Sequence, residues 1–203
     1  MSGLSFDSHS NSDSEKVIAI GDIHGCARTL DALLNKLEAW PDHLLVFVGD
    51  YIDRGPRSRE VVSRLITLQG ERECVFLRGN HEEMLLNAID KGEISLWIYN
   101  GGGATLQSYL LTRDSLTAFP EEHLEFIRQT ELYYQTELYY QTENYFLVHA
   151  GAPAGQTLAQ SVEDPEARHT FLWGRNHINA PETPWENIPV SSSRYLRSVR
   201  MSL

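Results

Sequence analysis

Apolar and polar positions along this chain follow a pattern that predicts strands and helices in alternation. Four short, continuous apolar runs are typical of buried strands: Val17–Ile20, Leu44–Val48, Cys74–Leu77 and Tyr145–Val148. After the first run, leucines recur at the spacing of one helix face: Leu30, Leu33, Leu34 and Leu37. Helices are predicted from about Cys26 to Ala39, from about Ser58 and from near Glu82. This order predicts an α/β fold with a largely parallel sheet.

The middle of the chain, residues 93–130, predicts helices that cap one side of the sheet and are joined by a flexible Asn100–Gly103. The next segment reads QTELYY twice, at Gln129–Tyr134 and Gln135–Tyr140, and predicts strands. Because each repeat has an even number of residues, an extra copy preserves the in–out alternation of a strand. We expect a longer hairpin with no function of its own.

A polar, glycine-flanked segment follows each of the four predicted strands. These segments read GDIHG at 21–25, GDYIDRG at 49–55, GNHE at 79–82 and HAG at 149–151. In an open α/β sheet, the carboxyl ends of the strands form the active site. Each segment alone is a weak signal of an active site, because a pair of polar residues in a loop or at a helix cap is common. Four of them in order, each after a strand, make coincidence a poor explanation.

Five residues of these segments are candidate metal ligands: Asp22, His24, Asp50, Asn80 and His149. Two divalent ions about 3.5–4 Å apart can clamp both the attacking and the leaving oxygen of a phosphoryl displacement. Asp50 is the candidate bridge, because a carboxylate has two oxygens and a charge that offsets the repulsion between the ions. We predict that Asp22 and His24 reach one ion, and that Asn80 and His149 reach the other.

Candidate catalytic residues lie beside these ligands. His81 is a candidate general acid for the leaving oxygen, and Asp53 is predicted to hydrogen-bond His81, fix its tautomer and raise its pKa. Arg54 can bind phosphate oxygens bidentately, and Asn80 is a second candidate phosphate-binding residue. These residue types in this order predict hydrolysis of a phosphoester.

Composition narrows the class of protein further. With 203 residues, 41% of them hydrophobic, the chain is predicted to form one domain with a buried core. A net charge of −11 argues against nucleic acid as a partner, and no apolar run is long enough to span a membrane. The only cysteines, Cys26 and Cys74, indicate free thiols and a cytoplasmic location. Residues 1–15 are predicted to be a disordered tail, and His123, outside the four segments, is expected to be solvated.

The four segments resemble those of the phosphoprotein phosphatase family, within the calcineurin-like metallophosphoesterases, whose pattern is GDxHG, GDxxDRG, GNHE and HAG. The resemblance covers residues 17–190 and is closest to the bacterial serine/threonine phosphatase type. It implies two packed mixed β-sheets flanked by helices. It also implies a dinuclear metal centre with a bridging hydroxide as nucleophile, with Mn²⁺ common in vitro and Fe or Zn as alternatives.

The same resemblance assigns further residues and a substrate class. Trp97 and Asn100–Gly102 are similar to the "W…NGG" element of bacterial and phage members, and Arg175 is similar to the family's second phosphate clamp. Symmetrical diadenosine tetraphosphate hydrolases usually lack the aspartate of "DRG" and read GNHD. Because Asp53 and Glu82 are both present, the chain is more similar to protein phosphatases, and we expect phosphorylated proteins or small phosphoesters as substrates.

The sequence departs from the family pattern after Val190. A Gly-His-Thr segment, whose histidine completes the second metal site, is expected there, but residues 191–203 read SSSRYLRSVRMSL. We therefore expect a domain over residues 16–190 that lacks its last strands, an atypical tail over 191–203, and a truncated or frame-shifted family member. A lost ligand predicts activity impaired by at least roughly 10–100-fold. A non-catalytic remnant that binds metal or phosphate, and a symmetrical dinucleoside tetraphosphate hydrolase, remain as alternatives.

Overall fold

Strands and helices alternate through the first half of the chain. The computed structural model describes residues 16–135, 146–153, 155, 157–175 and 190–192. In chain order the elements are β1 (Val17–Ile20), α1 (Ala27–Leu37), β2 (Leu44–Phe47), α2 (Ser58–Glu71), β3 (Cys74–Phe76), α3 (Asn80–Lys91), α4 (Ile94–Trp97), α5 (Gly103–Tyr109), α6 (Glu121–Gln129), β4 (Tyr133–Gln135), β5 (Phe146–Val148), α7 (Leu158–Glu163), α8 (Ala167–Trp173) and β6 (Val190–Ser192). A π-helical segment, Ile98–Gly102, joins α4 to α5, and a 3₁₀ segment, Arg113–Ala118, precedes α6.

The described strands form two sheets. In the first sheet, β2 lies between β1 and β3, and all three strands are parallel. In the second sheet, β5 pairs antiparallel with β4 and parallel with β6. The prediction of two sheets flanked by helices is confirmed, although only the second sheet is mixed within the part of the chain that the structure describes.

Strand β2 is buried on both of its faces. Leu45 and Phe47 belong to the large core cluster that includes the inward faces of α1 and α2. Leu44 and Val46, on the opposite face, cluster with Leu147 of the second sheet. Burying one such side chain stabilises a fold by about 1.5–3 kcal/mol, so β2 is held from both sides and offers a rigid base for the residues that follow it. A strand buried on both faces is expected to be a continuous apolar run.

The helices after α3 are joined through a kink at Gly101: Ile98–Gly102 forms a π-helical segment whose backbone is non-helical at Gly101, and α5 begins at Gly103. Gly101 has a φ of 110°, which favours glycine, and its carbonyl accepts a hydrogen bond of 3.3 Å from the Arg54 N–H. At Gly102 a Cβ atom would lie 2.5 Å from the ring of Trp97. Close packing of this segment on two candidate site residues therefore requires both glycines.

The prediction that the middle segment caps the sheet agrees with its packing. Helices α5 and α6 pack on α2, and α4 packs on α3. Phe126 of α6 meets Phe76 of β3 edge to ring, with centroids 5.0 Å apart. No helix of the described residues is long and apolar enough to cross a membrane, and both cysteines are free thiols.

Some predicted segments fall partly or wholly outside the described residues. Ser191 and Ser192, predicted to belong to the tail, lie in β6 and pair with β5. The remaining tail residues, 193–203, and the predicted N-terminal tail, 1–15, lie outside the described part, as do residues 136–145 of the repeats. The antiparallel pairing of β4 with β5 fits the predicted hairpin on either side of those residues.

His123 is buried, so the expectation that it is solvated is wrong. It is 7% exposed on α6. Tyr109 Oη lies 2.8 Å from the Nδ1 atom of His123, and the Nε2 atom of His123 lies 3.2 Å from Ser63 Oγ. These contacts tie α6 to α5 and α2. Burial, followed by the nearby charge of Arg59, lowers the pKa of His123, although Glu122 acts in the opposite direction.

We expect acidification to destabilise the fold partly through His123. A group with a lowered folded-state pKa contributes stability above its unfolded pKa, and that contribution is lost as pH falls toward the folded pKa. His123→Gln should therefore reduce the loss of unfolding free energy between about pH 7.5 and about pH 5.5, the range in which histidine titrates. Urea unfolding with a chelator measures this. His169→Gln, at an exposed position of α8, should keep the full loss; equal behaviour of both variants would refute the assignment.

Candidate active site

The candidate site is built on turns with an unusual backbone. Four site residues have left-handed φ values: His24 (46°), Asp50 (55°), Asp53 (70°) and Arg54 (64°). This conformation costs a non-glycine residue roughly 1–2 kcal/mol, so the surrounding structure must hold it. Part of that support comes from the first turn (residues 21–25) and the second turn (residues 49–55), which bond to each other. The N–H groups of Ile23 and His24 donate to the Asp50 carbonyl at 3.0 and 2.8 Å.

Glu82 links the second turn to α3. Its buried carboxylate accepts the N–H of Asp50 at 2.8 Å and of Gly79 at 3.0 Å on Oε2. On Oε1 it accepts the N–H of Tyr51 at 2.8 Å and of Ile52 at 3.3 Å. From the sequence alone, Glu82 serves only to distinguish substrate classes. Its position three residues after Gly79 is one from which a Glu side chain accepts the N–H that precedes a helix, so the sequence could have indicated the bond to Gly79 but not the bonds to the second turn.

Negative charge is concentrated around Glu82. Burial, followed by the charge of Asp50, raises the pKa of Glu82 to about 7, while His81 and the Asp50 N–H act in the opposite direction. Burial also opposes ionisation of Asp50, but the nearby imidazoles of His149, His81 and His24 outweigh it and lower the Asp50 pKa. Cations beside Asp50 would offset this charge and favour the ionised form of both carboxylates.

Each oxygen of the Asp50 carboxylate faces a different histidine. Oδ2 lies 3.5 Å from His24 Nε2, and Oδ1 lies 3.5 Å from His149 Nε2. His149 Nε2 is also 3.0 Å from Asn80 Oδ1. Ligand atoms that share an ion at about 2.1 Å, at angles of about 90–110°, are separated by roughly 3.0–3.5 Å. The spacing on both sides of Asp50 therefore fits a shared metal ion.

The tautomers of the two histidines also fit metal binding. His24 Nδ1 lies 3.0 Å from the Ile52 carbonyl, and His149 Nδ1 lies 2.8 Å from the Val48 carbonyl. A carbonyl only accepts, so each Nδ1 carries a proton, which leaves each Nε2 as the atom available for metal binding. Burial is the main cause that lowers the pKa of His24. The Nε2 atom of His24 is buried and has no hydrogen-bond partner. A bound cation would provide the missing partner.

The remaining candidate ligand, Asp22, is exposed. Metal-ligand atoms of Asp22, Asp50 and His149 lie within 4.8 Å of one another, as do those of His24, Asp50 and His81. Asp50 is common to both groups, which fits a bridging position. The predicted division of the ligands between two ions stays a prediction.

His81 lies between two candidate catalytic residues. Its Nδ1 is 2.7 Å from Asp53 Oδ2, and Arg54 Nη2 donates to its Nε2 at 3.0 Å. Burial opposes the charged ring, but the Asp53 hydrogen bond and the charge of Asp50 outweigh it, so the pKa of His81 is raised. Because both ring nitrogens have partners, His81 is better suited to proton transfer than to metal binding. The predicted contact between Asp53 and His81 is present.

Asp53 is held by groups that the sequence analysis did not connect with it. Trp97 Nε1 donates to its carboxylate at 2.9 and 3.0 Å, and Thr105 Oγ1 donates to its Oδ1 at 2.6 Å. The Asp53 N–H donates to Ser58 Oγ and Thr105 Oγ1 at 3.1 and 2.9 Å. No sequence signal connects Thr105 with Asp53, because the two residues are 52 positions apart.

Arg175, the second predicted phosphate clamp, is exposed just beyond α8. Among the described residues, no hydrogen bond or ion pair joins it to the other candidate site residues. Its role stays a prediction. Arg54 is also exposed, so its guanidinium is open to an incoming anion.

Sequence comparison identifies the family. Residues 15–195 match the calcineurin-like phosphoesterase family. The chain belongs to this family. Over 168 residues it is 33% identical to serine/threonine-protein phosphatase 1 of Salmonella typhimurium, covering 80% of this chain and 69% of that protein. Over 163 residues it is 31% identical to a symmetrical bis(5'-nucleosyl)-tetraphosphatase of Coxiella burnetii, covering 78% of this chain and 50% of that protein.

Other relatives match over shorter regions. Serine/threonine-protein phosphatase 2 of Escherichia coli is 39% identical over 84 residues, which cover 41% of this chain and 37% of that protein. The chain thus spans between about a third and about two thirds of the length of these three relatives.

Solved structures share the fold of this chain. A cold-active protein-tyrosine phosphatase of a Shewanella species has a TM-score of 0.53 at 19% identity, covering 94% of this chain and 60% of that one. A protein serine/threonine phosphatase of Saccharomyces cerevisiae has a TM-score of 0.50 at 21% identity, covering 81% of this chain and 50% of that one. At such low identity the likeness shows the fold alone.

We expect Glu82→Gln to destabilise the fold by about 2–4 kcal/mol, because a buried donor left without an acceptor costs about 1–3 kcal/mol. The amide has one acceptor oxygen, whereas the carboxylate serves four N–H groups with two. Urea unfolding with a chelator measures the change in unfolding free energy. Glu121→Gln, in the exposed first turn of α6, is the control and should cost less than about 1 kcal/mol. A similar cost for both variants would show that the four hydrogen bonds are not needed.

Proposed function

We propose that this chain is a metal-dependent phosphoester hydrolase of the protein serine/threonine phosphatase type, with a dinuclear centre and a cytoplasmic location. The observation that carries the proposal is the Asp50 carboxylate, which has an imidazole Nε2 atom 3.5 Å from each of its oxygens. The buried His81–Asp53 pair lies beside it. Acceptor atoms that converge in this way can bind divalent cations. The adjacent His81 can give a proton to a leaving alkoxide.

The donor set favours hard or borderline divalent ions. Asp22, His24 and Asp50 would hold one ion, and Asp50, Asn80 and His149 the other. Carboxylate, amide and imidazole ligands suit Mn²⁺, with Fe or Zn as alternatives. When bound, such ions polarise a phosphoryl oxygen and activate water for attack on phosphorus.

The chain's own residues bind the phosphate and move the proton. Arg54, exposed at the site, donates to phosphate oxygens, and Asn80 and Arg175 contribute to the same anion. His81 delivers a proton from Nε2 to the leaving oxygen, while Asp53 at Nδ1 stabilises the charged ring. Arg54 bonds Nε2 in the structure. A phosphate that draws the guanidinium away leaves this nitrogen next to the leaving oxygen.

The relatives favour a phosphorylated protein or a small phosphoester as substrate. Proteins named serine/threonine-protein phosphatase match this chain at 33% identity over 168 residues and at 39% over 84 residues. The second candidate function is hydrolysis of a dinucleoside tetraphosphate, which the 31% identity to the Coxiella burnetii protein favours. Activity toward a phosphoserine peptide and nucleotide product analysis with diadenosine tetraphosphate, run side by side, distinguish the two candidates.

We expect the purified chain to hydrolyse p-nitrophenyl phosphate with Mn²⁺ and to lose this activity after chelation. Asp50→Asn should lower turnover by at least about 100-fold, because the amide offers one neutral acceptor where the carboxylate offers two charged oxygens; loss of metal ligation costs at least about 10–100-fold. Steady-state rates over a range of Mn²⁺ concentrations measure this. Asp114→Asn, at an exposed position of the 3₁₀ segment, is the control.

A folded chain that binds Mn²⁺ but shows no turnover would contradict the proposed activity and favour a non-catalytic, metal-binding protein. Turnover that persists in Asp50→Asn would contradict the central position of Asp50. Circular dichroism of each variant separates these outcomes from loss of the fold.

We also expect His81→Asn to lower kcat by roughly 10²–10⁴, the usual contribution of general acid catalysis. The effect should be largest for substrates with a poor leaving group, since a stable leaving anion needs no proton. Comparing kcat for phenyl phosphate and p-nitrophenyl phosphate tests the assignment. An unchanged kcat on phenyl phosphate would exclude His81 as the proton donor.

A further inference from the structure

A second layer of side chains lies behind the His81–Asp53 pair. The side chains of Asp53, His81, Trp97 and Thr105 are all 0% exposed. Asp53 Oδ2 faces His81 Nδ1, and Thr105 Oγ1 lies 2.6 Å from the other oxygen, Oδ1. The two oxygens of the Asp53 carboxylate thus bond different partners. These contacts fix the rotation of the carboxylate about its Cβ–Cγ bond.

The hydroxyl of Thr105 has a single proton and two neighbouring acceptors. Asp53 Oδ1 is 2.6 Å away, and Ser58 Oγ is 3.0 Å away. The carboxylate is the shorter contact and carries charge, so it receives the proton. Thr105 Oγ1 also accepts the Asp53 N–H at 2.9 Å. One hydroxyl therefore holds both the backbone and the side chain of Asp53, whose φ of 70° is left-handed.

Trp97 restrains Asp53 in a different way. Its Nε1 is 3.0 Å from Oδ1 and 2.9 Å from Oδ2, so the indole bonds both oxygens almost equally. This contact anchors the carboxylate but does not distinguish its oxygens. Thr105 bonds only Oδ1, which leaves Oδ2 for the histidine. The selective restraint therefore comes from Thr105.

We propose that Thr105 is a positioning residue, which acts through Asp53 to hold His81 in the orientation that delivers a proton to the leaving oxygen. This inference rests on the proposed phosphoester hydrolysis. In this role, Thr105 contacts neither the substrate nor the reacting atoms. Its loss affects the step that depends on leaving-group protonation, and it leaves metal and phosphate binding in place.

Leaving-group dependence separates this role from general support of the fold. Thr105→Val, which replaces the hydroxyl by a methyl of similar size, should lower kcat on phenyl phosphate by about tenfold, a part of the 10²–10⁴ available to general acid catalysis. On p-nitrophenyl phosphate, whose leaving group needs little protonation, kcat should fall less than about twofold. KM should stay unchanged on both substrates. A loss of the same size on both substrates, or no loss on either, would overturn the proposal.

Matched variants isolate the hydroxyl. Thr105→Ser keeps it and should restore phenyl phosphate turnover, whereas Thr105→Ala lacks it and should behave like the valine variant. Since serine and alanine both lack the methyl, this pair decides the question if the valine variant does not fold. Thr130→Val is the control for loss of a buried threonine hydroxyl. Thr130 Oγ1 donates to the Ile127 carbonyl at 2.6 Å and accepts from Arg78 Nε at 3.0 Å. Its loss should affect both substrates equally.

A readout without turnover keeps this inference separate from the proposed activity. In the wild-type chain, the Nδ1 proton of His81 should give a downfield NMR signal at fixed pH, because it is buried against a carboxylate. We expect this signal to be shifted or lost in Thr105→Val and Thr105→Ala, and kept in Thr105→Ser. An unchanged signal in the alanine variant would overturn the positioning role. Absence of metal-dependent turnover in the wild-type chain would instead contradict the proposed activity, and the NMR comparison alone would then decide the role of Thr105.

Discussion

The carboxylate of Glu82 is the contact on which the geometry of the site depends. It accepts N–H groups from three consecutive residues of the second turn, Asp50 to Ile52, and from Gly79 at the start of α3. Asp50, the first of these residues, has a left-handed backbone. Residues in that region are normally strained, so the four hydrogen bonds offset a cost that the turn could not sustain alone. The same contacts bring Asn80 and His81 next to Asp50.

Two aspartates of the second turn have different surroundings, and we therefore expect them to have different roles. Asp53 is surrounded by donors, since an indole, a hydroxyl and an imidazole all bond its carboxylate. Asp50 has a backbone N–H at 3.2 Å, and its other close neighbours include the Nε2 atoms of two imidazoles. A carboxylate satisfied by protein donors can orient a base and has little need for a cation. A carboxylate that faces lone pairs attracts a cation, because buried acceptors without a positive charge beside them repel each other.

The sequence predicts the local elements of this fold and the residues of the site better than the contacts between them. The strands β1 to β3 and the inward faces of α1 and α2 follow from apolar periodicity, which depends on neighbours along the chain. The pairing of His81 with Asp53 was predictable because both lie in segments that follow adjacent parallel strands. The contacts of Asp53 with Trp97 and Thr105 were not, since they join residues 44 and 52 positions apart through the packing of separate helices. The close packing of Asn100–Gly103 was missed for a related reason: three glycines indicate flexibility in isolation, whereas two of them here allow close packing on Arg54 and Trp97.

The repeated hexapeptide before His149 is compatible with an intact site because of where the two described strands pair. Tyr133 is opposite Val148 in the antiparallel pair, so this register is set at the end of the pair nearest His149. The bond between His149 Nδ1 and the Val48 carbonyl, and the packing of Leu147 against Leu44 and Val46, fix β5 from the opposite side. The position of His149 is therefore fixed by contacts with β2 and with Val48, the residue that follows it.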